Sequence, residues 1–385
     1  MKKKKAPLVR RMKEFVKTSV VWGPLDHNLF FTIIFLNVYG IIMVYSASYN
    51  NSITKNYSYF MNNQLKNVIF GFVIMIVASY VNYHRIVRLG WGWFWLLAAV
   101  AIIAALKTPL AHSELGATRW IKLGPVSFQA AEPIKAAIII FFAYYVSYWG
   151  LNRWYNQLLA CLLAIALLGF LFFFSNNLST VIVLFCICAV IILSSVKKPD
   201  LYWYFLLGLA LIIIAAIFVT VYLLMHQGAE NFRFVRIRAW LHPEEYAADE
   251  GLQAMQARYA IGAGGFWGKG LGQSLIKFKL SYSYNDFILA IICEELGVFG
   301  VIVMMTLFGY LLYRIYKIAQ NAWDIEGKVL AIGVFTQIAL QLLINVMVVT
   351  SVIPTTGVTL PFFSAGGTSV VFLLAELGMV LNVDK

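Results

Sequence analysis

The chain has 385 residues, of which 61% are hydrophobic and 12% charged, and its mean hydropathy is +0.79. Soluble domains carry about 25% charged residues, so the composition excludes an ordinary soluble protein and predicts a polytopic membrane protein. The formal net charge of +13 would suggest a nucleic-acid partner in a soluble chain, but its distribution favours a membrane-orientation signal and no nucleic acid.

The N-terminal segment, residues 1–27, is predicted to be a basic cytoplasmic tail. Lysine and arginine ahead of a first membrane helix keep that end inside and attract anionic lipid. No small-residue cleavage site follows the first apolar run, so we interpret this run as an anchor and not as a removed signal peptide. The basic residues are Lys2, Lys3, Lys4, Lys5, Arg10, Arg11, Lys13 and Lys17.

Ten apolar runs follow, each close to the roughly 20 residues that an α-helix needs to cross a bilayer. The sequence therefore predicts an all-α polytopic membrane domain over 28–383 with ten transmembrane helices. The runs lie near 28–48, 65–82, 90–107, 126–148, 154–173, 178–195, 201–225, 286–313, 328–353 and 361–382. The cysteines in these runs are interpreted as apolar packing residues, neither disulfide-bonded nor metal-binding: Cys161, Cys186, Cys188 and Cys293.

An even number of helices puts both termini on one side, and the charges of the short loops identify that side. The opposite loops, at 174–177 and 354–360, have no charge. The positive-inside rule therefore predicts cytoplasmic N and C termini. Lys55 and the connection 108–125 run against this bias without reversing it. The predicted cytoplasmic loops contain Arg85, Arg88, Arg153, Lys197, Lys198, Arg314 and Lys317.

One connection is long: residues 226–285, on the extracellular side between the predicted helices 7 and 8. Loops of this length are usually functional or disordered, but the glycines and apolar residues of "MQARYAIGAGGFWGKGLGQS" favour a structured re-entrant or interfacial element. The glycine run fails as a phosphate-binding loop, because Ala263 and Gly270 stand where glycine and serine or threonine are needed around Lys269. No nucleotide cofactor is predicted.

Ionisable residues inside the predicted helices each need a partner or a function. Glu132 and Lys135 are three apart, on one helical face, and can form an ion pair. Either this pair is a structural salt bridge, or Lys135 also faces Asp286 in a shared cavity and keeps it ionised. The sequence leaves both interpretations open.

Asp286 begins an acid-rich helix directly after the long connection, where it could cap the helix, act as a base, or do both. Glu294 lies eight residues deeper, about 12 Å at 1.5 Å per residue, which is too far for a catalytic carboxylate pair separated by roughly 5–9.5 Å. On a helical wheel Glu294 points about 80° and Glu295 about 180° away from Asp286. We therefore interpret Glu294, Glu295 and Glu376 as structural intramembrane acids.

Cations and an aromatic residue in the extracellular connections form a candidate substrate-binding set. Arginine forks match phosphate oxygens, and an aromatic face can stack on a sugar. The same residues would also serve as interfacial anchors whose charges snorkel to water, and composition does not decide between the two. The set comprises Arg119, Trp120, Arg233, Arg236, Lys269 and Lys277.

Four segments carry a family resemblance: "GATRWIKLGPVSFQAAEPIK", "QARYAIGAGGFWGKGLGQS", "YNDFILAIICEELGVFG" and "TTGVTLPFFSAGGTS". In this order they resemble the signatures of the shape, elongation, division and sporulation (SEDS) family, from the first helix to the last. The resemblance implies ten transmembrane helices and a peptidoglycan glycosyltransferase that polymerises lipid II into glycan strands outside the bacterial cytoplasmic membrane. "GKGLGQS" followed by "ND" is more similar to the division branch, which implies work at the septum with a class B penicillin-binding protein and other divisome membrane proteins.

Carried over by position, the family's essential aspartate corresponds to Asp286, its Arg–Trp pair to Arg119 and Trp120, and its Glu and Lys to Glu132 and Lys135. The resemblance implies that Asp286 is the base for an acceptor hydroxyl, that Glu132 and Lys135 orient it, and that arginines hold the diphosphate. Whether a divalent cation assists at the diphosphate is left open. The chain departs from the family pattern at Asn63, Ala130, Ala131, Pro133 and Ser175–Thr180, where Asn177 replaces an aspartate.

Two rival functions from other classes remain. A lipid II flippase would also need a charged cavity within many helices, ideally with pseudo-symmetric halves, and the sequence has no internal repeat. A non-catalytic divisome scaffold would tolerate the loss of Asp286. Polymerisation and flipping assays on one preparation distinguish these functions.

Overall fold

The computed structural model describes residues 21, 23, 25–48, 59–114, 117–124, 126–175, 177–196, 232–246, 250–278, 285–365 and 367–385. Within these residues the protein is mostly helical. The predicted helix at 201–225 and nearly all of the basic tail lie outside the described residues. The helices are α1 (His27–Ser48), α2 (Tyr59–Tyr80), α3 (Tyr83–Val87), α4 (Trp93–Ala105), α5 (Ala131–Trp149), α6 (Trp154–Ser175), α7 (Leu178–Ser195), α8 (Phe232–Leu241), α9 (Glu250–Gly264), α10 (Ile288–Asn321), α11 (Ile325–Val349) and α12 (Thr368–Val383).

Six of the described helices are long and apolar enough to cross a membrane: α1, α2, α6, α7, α10 and α11. The shorter helices α4 and α12 are also apolar. Each predicted span other than 201–225 overlaps a helix, because about 20 apolar residues in a row favour a structure that satisfies its own backbone hydrogen bonds. The predicted span 126–148 is wrong at its start, since residues 126–129 form a strand and the helix begins at Ala131. The predicted mostly helical membrane fold is confirmed; the number of spans stays a prediction.

A small antiparallel sheet interrupts the helices between α4 and α5. Its strands are β1 (Ala111–Glu114), β2 (Ala117–Leu123) and β3 (Val126–Gln129), in the order β1-β2-β3. Trp120 pairs with Gln129 across β2 and β3, and the amide of Ala130 donates to the carbonyl of Arg119 at 2.9 Å. The all-α prediction missed this sheet, which fixes Arg119 beside the first turn of α5.

Side-chain contacts define two ends of the helix bundle. Helices α1 and α10 run antiparallel, since Ser46 of α1 donates to Glu295 while Arg314 pairs with Asp26, which also accepts from the first amides of α1. Asp286 therefore lies at one end of the bundle and Asp26 at the other. We call these the Asp286 end and the Asp26 end.

Helix α10 is broken at Gly297, whose φ of 65° and ψ of −163° are not helical. The segment 265–278, which follows α9, folds back onto this break. The amides of Lys269 and Gly270 donate to the carbonyls of Glu294 and Glu295, both at 2.9 Å, and Val298 and Phe299 donate in return to residues 265 and 266 at 3.1 Å. The backbone groups freed by the break are thus satisfied within the protein, as membrane depth requires. The sequence predicts a structured element in this part of the chain.

Candidate active site

Asp286, the predicted base, lies two residues before the membrane-spanning helix α10 begins. Phe287 occupies the N-cap position of α10, so the interpretation of Asp286 as the helix cap is wrong. Asp286 is half-buried. Burial raises the pKa of its carboxyl group, and the positive charges of Arg119 and Arg236 oppose that rise without cancelling it.

Two cations from distant parts of the chain converge on this carboxylate. Arg119 comes from β2 and Arg236 from α8, and both interact electrostatically with Asp286. Gly357, at a φ of +72°, makes room for Arg119: a Cβ atom there would lie 2.7 Å from the arginine Nη1. The structure therefore brings together the predicted base and two residues that were predicted to bind substrate phosphate.

The backbone before α10 is held by side chains that the sequence analysis did not single out. Asn345 of α11 donates from Nδ2 to the carbonyl of Asp286 at 2.9 Å. Ser364 donates from Oγ to the carbonyl of Asn285 at 2.8 Å. A pattern in α11 could have revealed part of this, because the buried polar residues Gln337, Gln341 and Asn345 recur every four residues on one helical face.

Glu132 and Lys135 form a buried ion pair in the first turns of α5. The Lys135 Nζ lies 2.9 Å from both carboxylate oxygens of Glu132, and each residue is less than 5% exposed. Among the described residues, the ion pair of Lys135 is with Glu132 and not with Asp286. The cationic groups acting on Asp286 are Arg119 and Arg236, so a direct effect of Lys135 on Asp286 stays a prediction.

The ion pair lines a polar cavity of about 30 Å³, which is room for two or three waters at the roughly 10–15 Å³ that each needs. Gly357 and Val358 also line it. Asn345 donates to the Val358 carbonyl at 3.0 Å and to Asp286, so a single side chain links the cavity wall to the candidate base. The remaining lining residues include Gln129, Asn177, Ser179, Thr180, Gln341 and Thr359.

Glu376 of α12 lies deeper and belongs to the same polar network. Gln337 of α11 donates to it from Nε2 at 2.7 Å, and Lys135 and Glu132 interact with it electrostatically. It is 1% exposed. The network thus extends from the first turn of α5 into the interior of the bundle.

Glu294 and Glu295 hold the folded-back segment 265–278. Lys269 pairs with Glu294 at 2.8 Å and the buried Lys277 lies 3.6 Å from Glu295. Ser274 donates to Glu294 from its side chain and to Glu295 from its backbone amide. The two lysines, which the sequence suggested for substrate, therefore have internal carboxylate partners.

Trp120 and Arg233, the other two predicted substrate-binding residues, lie in β2 and α8. Trp120 is half-buried in β2. The backbone of Arg233 lies in α8, three residues before Arg236, and its side chain is outside the described residues. At the Asp26 end, possible ligand atoms of His84, Asp324 and Glu326 lie within 4.8 Å of one another; this group is remote from Asp286, and Arg88 already pairs with Glu326 at 2.8 Å.

The fold and the site define a polytopic membrane protein with a carboxylate flanked by two arginines at one end of its helix bundle. Residues 26–385 match the family model described as "Cell cycle protein", which covers FtsW, RodA and SpoVE. The chain belongs to this family, and the predicted SEDS assignment is confirmed.

Curated relatives match along nearly the whole chain. A probable peptidoglycan glycosyltransferase FtsW from Trichlorobacter lovleyi is 31% identical over 97% of this chain and 96% of the relative. The protein of the same name from Bacillus subtilis is 31% identical over 93% and 90%. Stage V sporulation protein E of Bacillus subtilis is 33% identical over 92% and 95%.

Solved structures share the fold. A chain from a study of polymerization and crosslinking by a peptidoglycan synthase complex superposes with a TM-score of 0.76 at 22% identity, covering 94% of this chain and 98% of the other. The rod shape determining protein RodA of Thermus thermophilus gives a TM-score of 0.67 at 22% identity, covering 94% and 97%.

Proposed function

We propose that this protein is a peptidoglycan glycosyltransferase that polymerises lipid II at the outer face of the cytoplasmic membrane during septal wall synthesis. The names of its FtsW relatives support the activity and the role in division. The observation that carries the chemistry is the half-buried Asp286 carboxylate with Arg119 and Arg236 beside it, because glycosyl transfer from a diphosphate needs a base and cations in one place.

In the proposed reaction, the 4-hydroxyl oxygen of the acceptor GlcNAc attacks the anomeric carbon of the donor MurNAc. The bond between that carbon and the diphosphate oxygen breaks, and undecaprenyl diphosphate leaves with the electron pair. Asp286 takes the hydroxyl proton, for which it must come within about 2.6–3.2 Å of the oxygen. Arg119 and Arg236 stabilise the charge of the leaving diphosphate, with or without a divalent cation.

Glu132 and Lys135 act from the neighbouring cavity in this proposal. Their charges are matched within the pair, so the cavity provides polar groups for substrate without a large field of one sign. Asn345 joins this cavity to the base through Val358 and Asp286. The pair would position the sugar or water next to the base and orient the base indirectly.

The proposed topology has ten membrane helices, cytoplasmic termini and the Asp286 end outside. Basic residues at the Asp26 end support this orientation under the positive-inside rule. The connection 226–285 would then be extracellular and chemistry at Asp286 would take place outside the cell. The supporting basic residues are Arg85, Arg88, Arg153, Arg314, Lys317 and Lys328.

Proposed partners are a class B penicillin-binding protein that crosslinks the new strands and other divisome membrane proteins. The likeness to a chain of a peptidoglycan synthase complex supports an assembly of polymerase and crosslinking enzyme. The resemblance to the division branch supports localisation at the septum.

The test compares Asp286→Asn with Asp384→Asn, an exposed aspartate at the Asp26 end. Purified full-length protein in proteoliposomes receives lipid II, and polymer is followed by gel while flipping is followed with a fluorescent lipid analogue. We expect wild type and Asp384→Asn to make polymer and Asp286→Asn to make none. If all three proteins flip lipid but the wild type makes no polymer, the flippase function is favoured. If the wild type shows neither activity and Asp286→Asn still supports growth of cells that lack the native protein, the scaffold function is favoured.

A further inference from the structure

The connection between α11 and α12, residues 350–367, holds the backbone that carries the candidate base. We call it the terminal loop. Asn345, at the end of α11, is 0% exposed. Both hydrogens of its amide group are used: Nδ2 donates to the Asp286 carbonyl at 2.9 Å and to the Val358 carbonyl of the terminal loop at 3.0 Å.

A second hydrogen bond joins the same two segments. Ser364 of the terminal loop donates from Oγ to the carbonyl of Asn285 at 2.8 Å and accepts from the amide of Leu360, also at 2.8 Å. The Asn285 carbonyl is therefore bonded to the terminal loop directly, and the adjacent Asp286 carbonyl is connected to it through the amide group of Asn345. This arrangement restricts movement of the Asp286 backbone relative to that loop.

The terminal loop also contacts Arg119. Gly357, the neighbour of Val358, lies against the guanidinium group of Arg119. The path from Arg119 to Gly357, Val358, Asn345 and Asp286 consists of one packing contact, one peptide bond and two hydrogen bonds. The cation and the carboxylate thus share a common support although they come from distant parts of the chain.

The hydrogen bonding of Asn345 favours a role in positioning over a role in stability. The Oδ1 atom of Asn345 is buried and has no donor among the described residues. Burying an amide that is only partly hydrogen-bonded costs free energy that a well-packed apolar side chain would not. An asparagine is nevertheless used at this position, where its amide group can grip two carbonyls at once.

We propose that Asn345 is a positioning residue for glycosyl transfer, which fixes the Asp286 carboxylate against the Arg119 guanidinium by gripping both supporting segments. The inference rests on the proposed function. A shift of about 1 Å at a reacting group can lower the rate of the chemical step about 100-fold. Loss of the Asn345 hydrogen bonds should therefore lower kcat more than it changes KM.

The test uses Asn345→Ala with a matched control, Asn382→Ala. Asn382 is also buried and also bridges two backbone segments, donating to the Ser79 carbonyl at 2.7 Å and accepting from the Tyr83 amide at 3.0 Å, but at the Asp26 end. Full-length proteins in proteoliposomes are assayed with lipid II as a function of concentration and pH. Melting temperatures in detergent verify that both variants are folded.

We expect Asn345→Ala to lose tenfold to 100-fold in kcat with KM within threefold of wild type, and Asn382→Ala to keep wild-type kinetics. The acid limb of the Asn345→Ala pH profile should move to higher pH, because Arg119 and Arg236 are the charged groups facing Asp286 and Arg119 would be held less closely. A purely structural role would not move this limb.

If Asn345→Ala unfolds below the assay temperature, Ser364→Ala provides the test instead. This variant removes the hydrogen bond from Ser364 to the Asn285 carbonyl with little change in side-chain volume. It should move the limb in the same direction. Equal kinetics for Asn345→Ala and Asn382→Ala, or unmoved limbs in Asn345→Ala and Ser364→Ala, would overturn the inference while leaving the proposed function intact. An inactive wild type, or an active Asp286→Asn, would instead overturn the proposed function itself.

Discussion

Replacing Gly357 by alanine tests whether the position of Arg119 controls the reaction. The new Cβ would lie 2.7 Å from the arginine Nη1, and an ordinary contact is 3.4 Å or more, so the guanidinium must retreat by about 0.7 Å. A displacement of about 1 Å at an active site costs up to about 100-fold in rate. We expect Gly357→Ala to lower kcat/KM for lipid II polymerisation about tenfold or more.

Backbone strain has to be separated from this effect, since Gly357 has a φ of +72°. Gly124 is the matched control: its φ is +61°, but nothing lies within 4 Å of a Cβ built there. Alanine at either position should cost about 1–2 kcal/mol of stability from the left-handed backbone, which denaturation in detergent measures. Only Gly357→Ala should lose activity. Equal activity of the two variants would refute the assignment of Arg119 to the reaction.

Two further predictions concern charge. Burial raises the pKa of Asp286 more than its arginines lower it. Because a base must lose its proton to work, activity should rise with pH through a range above the ordinary aspartate pKa of about 3.9. Any residual activity of Asp286→Asn should lack this rise. Lys277→Met should destabilise the protein by about 3–5 kcal/mol, because it leaves Glu295 buried without its cation. Thermal unfolding should show that the double variant Lys277→Met/Glu295→Gln recovers part of the lost stability. If it recovers none, the pairing of Lys277 with Glu295 is contradicted.

The helices were predictable from the sequence because each depends on local composition. About 20 apolar residues must form a helix wherever they cross a bilayer, and the i, i+3 spacing of Glu132 and Lys135 predicted the ion pair that is observed. The family signatures led to the family that the comparisons confirm. None of these inferences needed knowledge of how distant segments pack.

The remaining features depend on tertiary contacts. The grip of Asn345 on Asp286 joins residues far apart in sequence, and helical periodicity alone does not reveal the partner. The sheet was missed because its strands are short: two of them lie in a connection, and the third, Val126–Gln129, was included in the apolar run 126–148 that the sequence predicts as a helix. The sequence indicates that Glu294 and Glu295 are structural acids, but it does not identify their partners in the segment 265–278, Lys269 and Lys277. Their assignment as structural acids stays a prediction.

The break in α10 has a consequence for biosynthesis. An ionised carboxylate in an inserting helix costs free energy, up to about 2.5–3.5 kcal/mol at the helix centre, and Glu294 and Glu295 would each incur part of this cost. Their partners Lys269 and Lys277 precede them in the chain, so both lysines leave the ribosome first. Co-insertion of segment 265–278 with the first part of α10 would let the acids enter the bilayer as neutral pairs, and the two parts would then mature as one insertion unit.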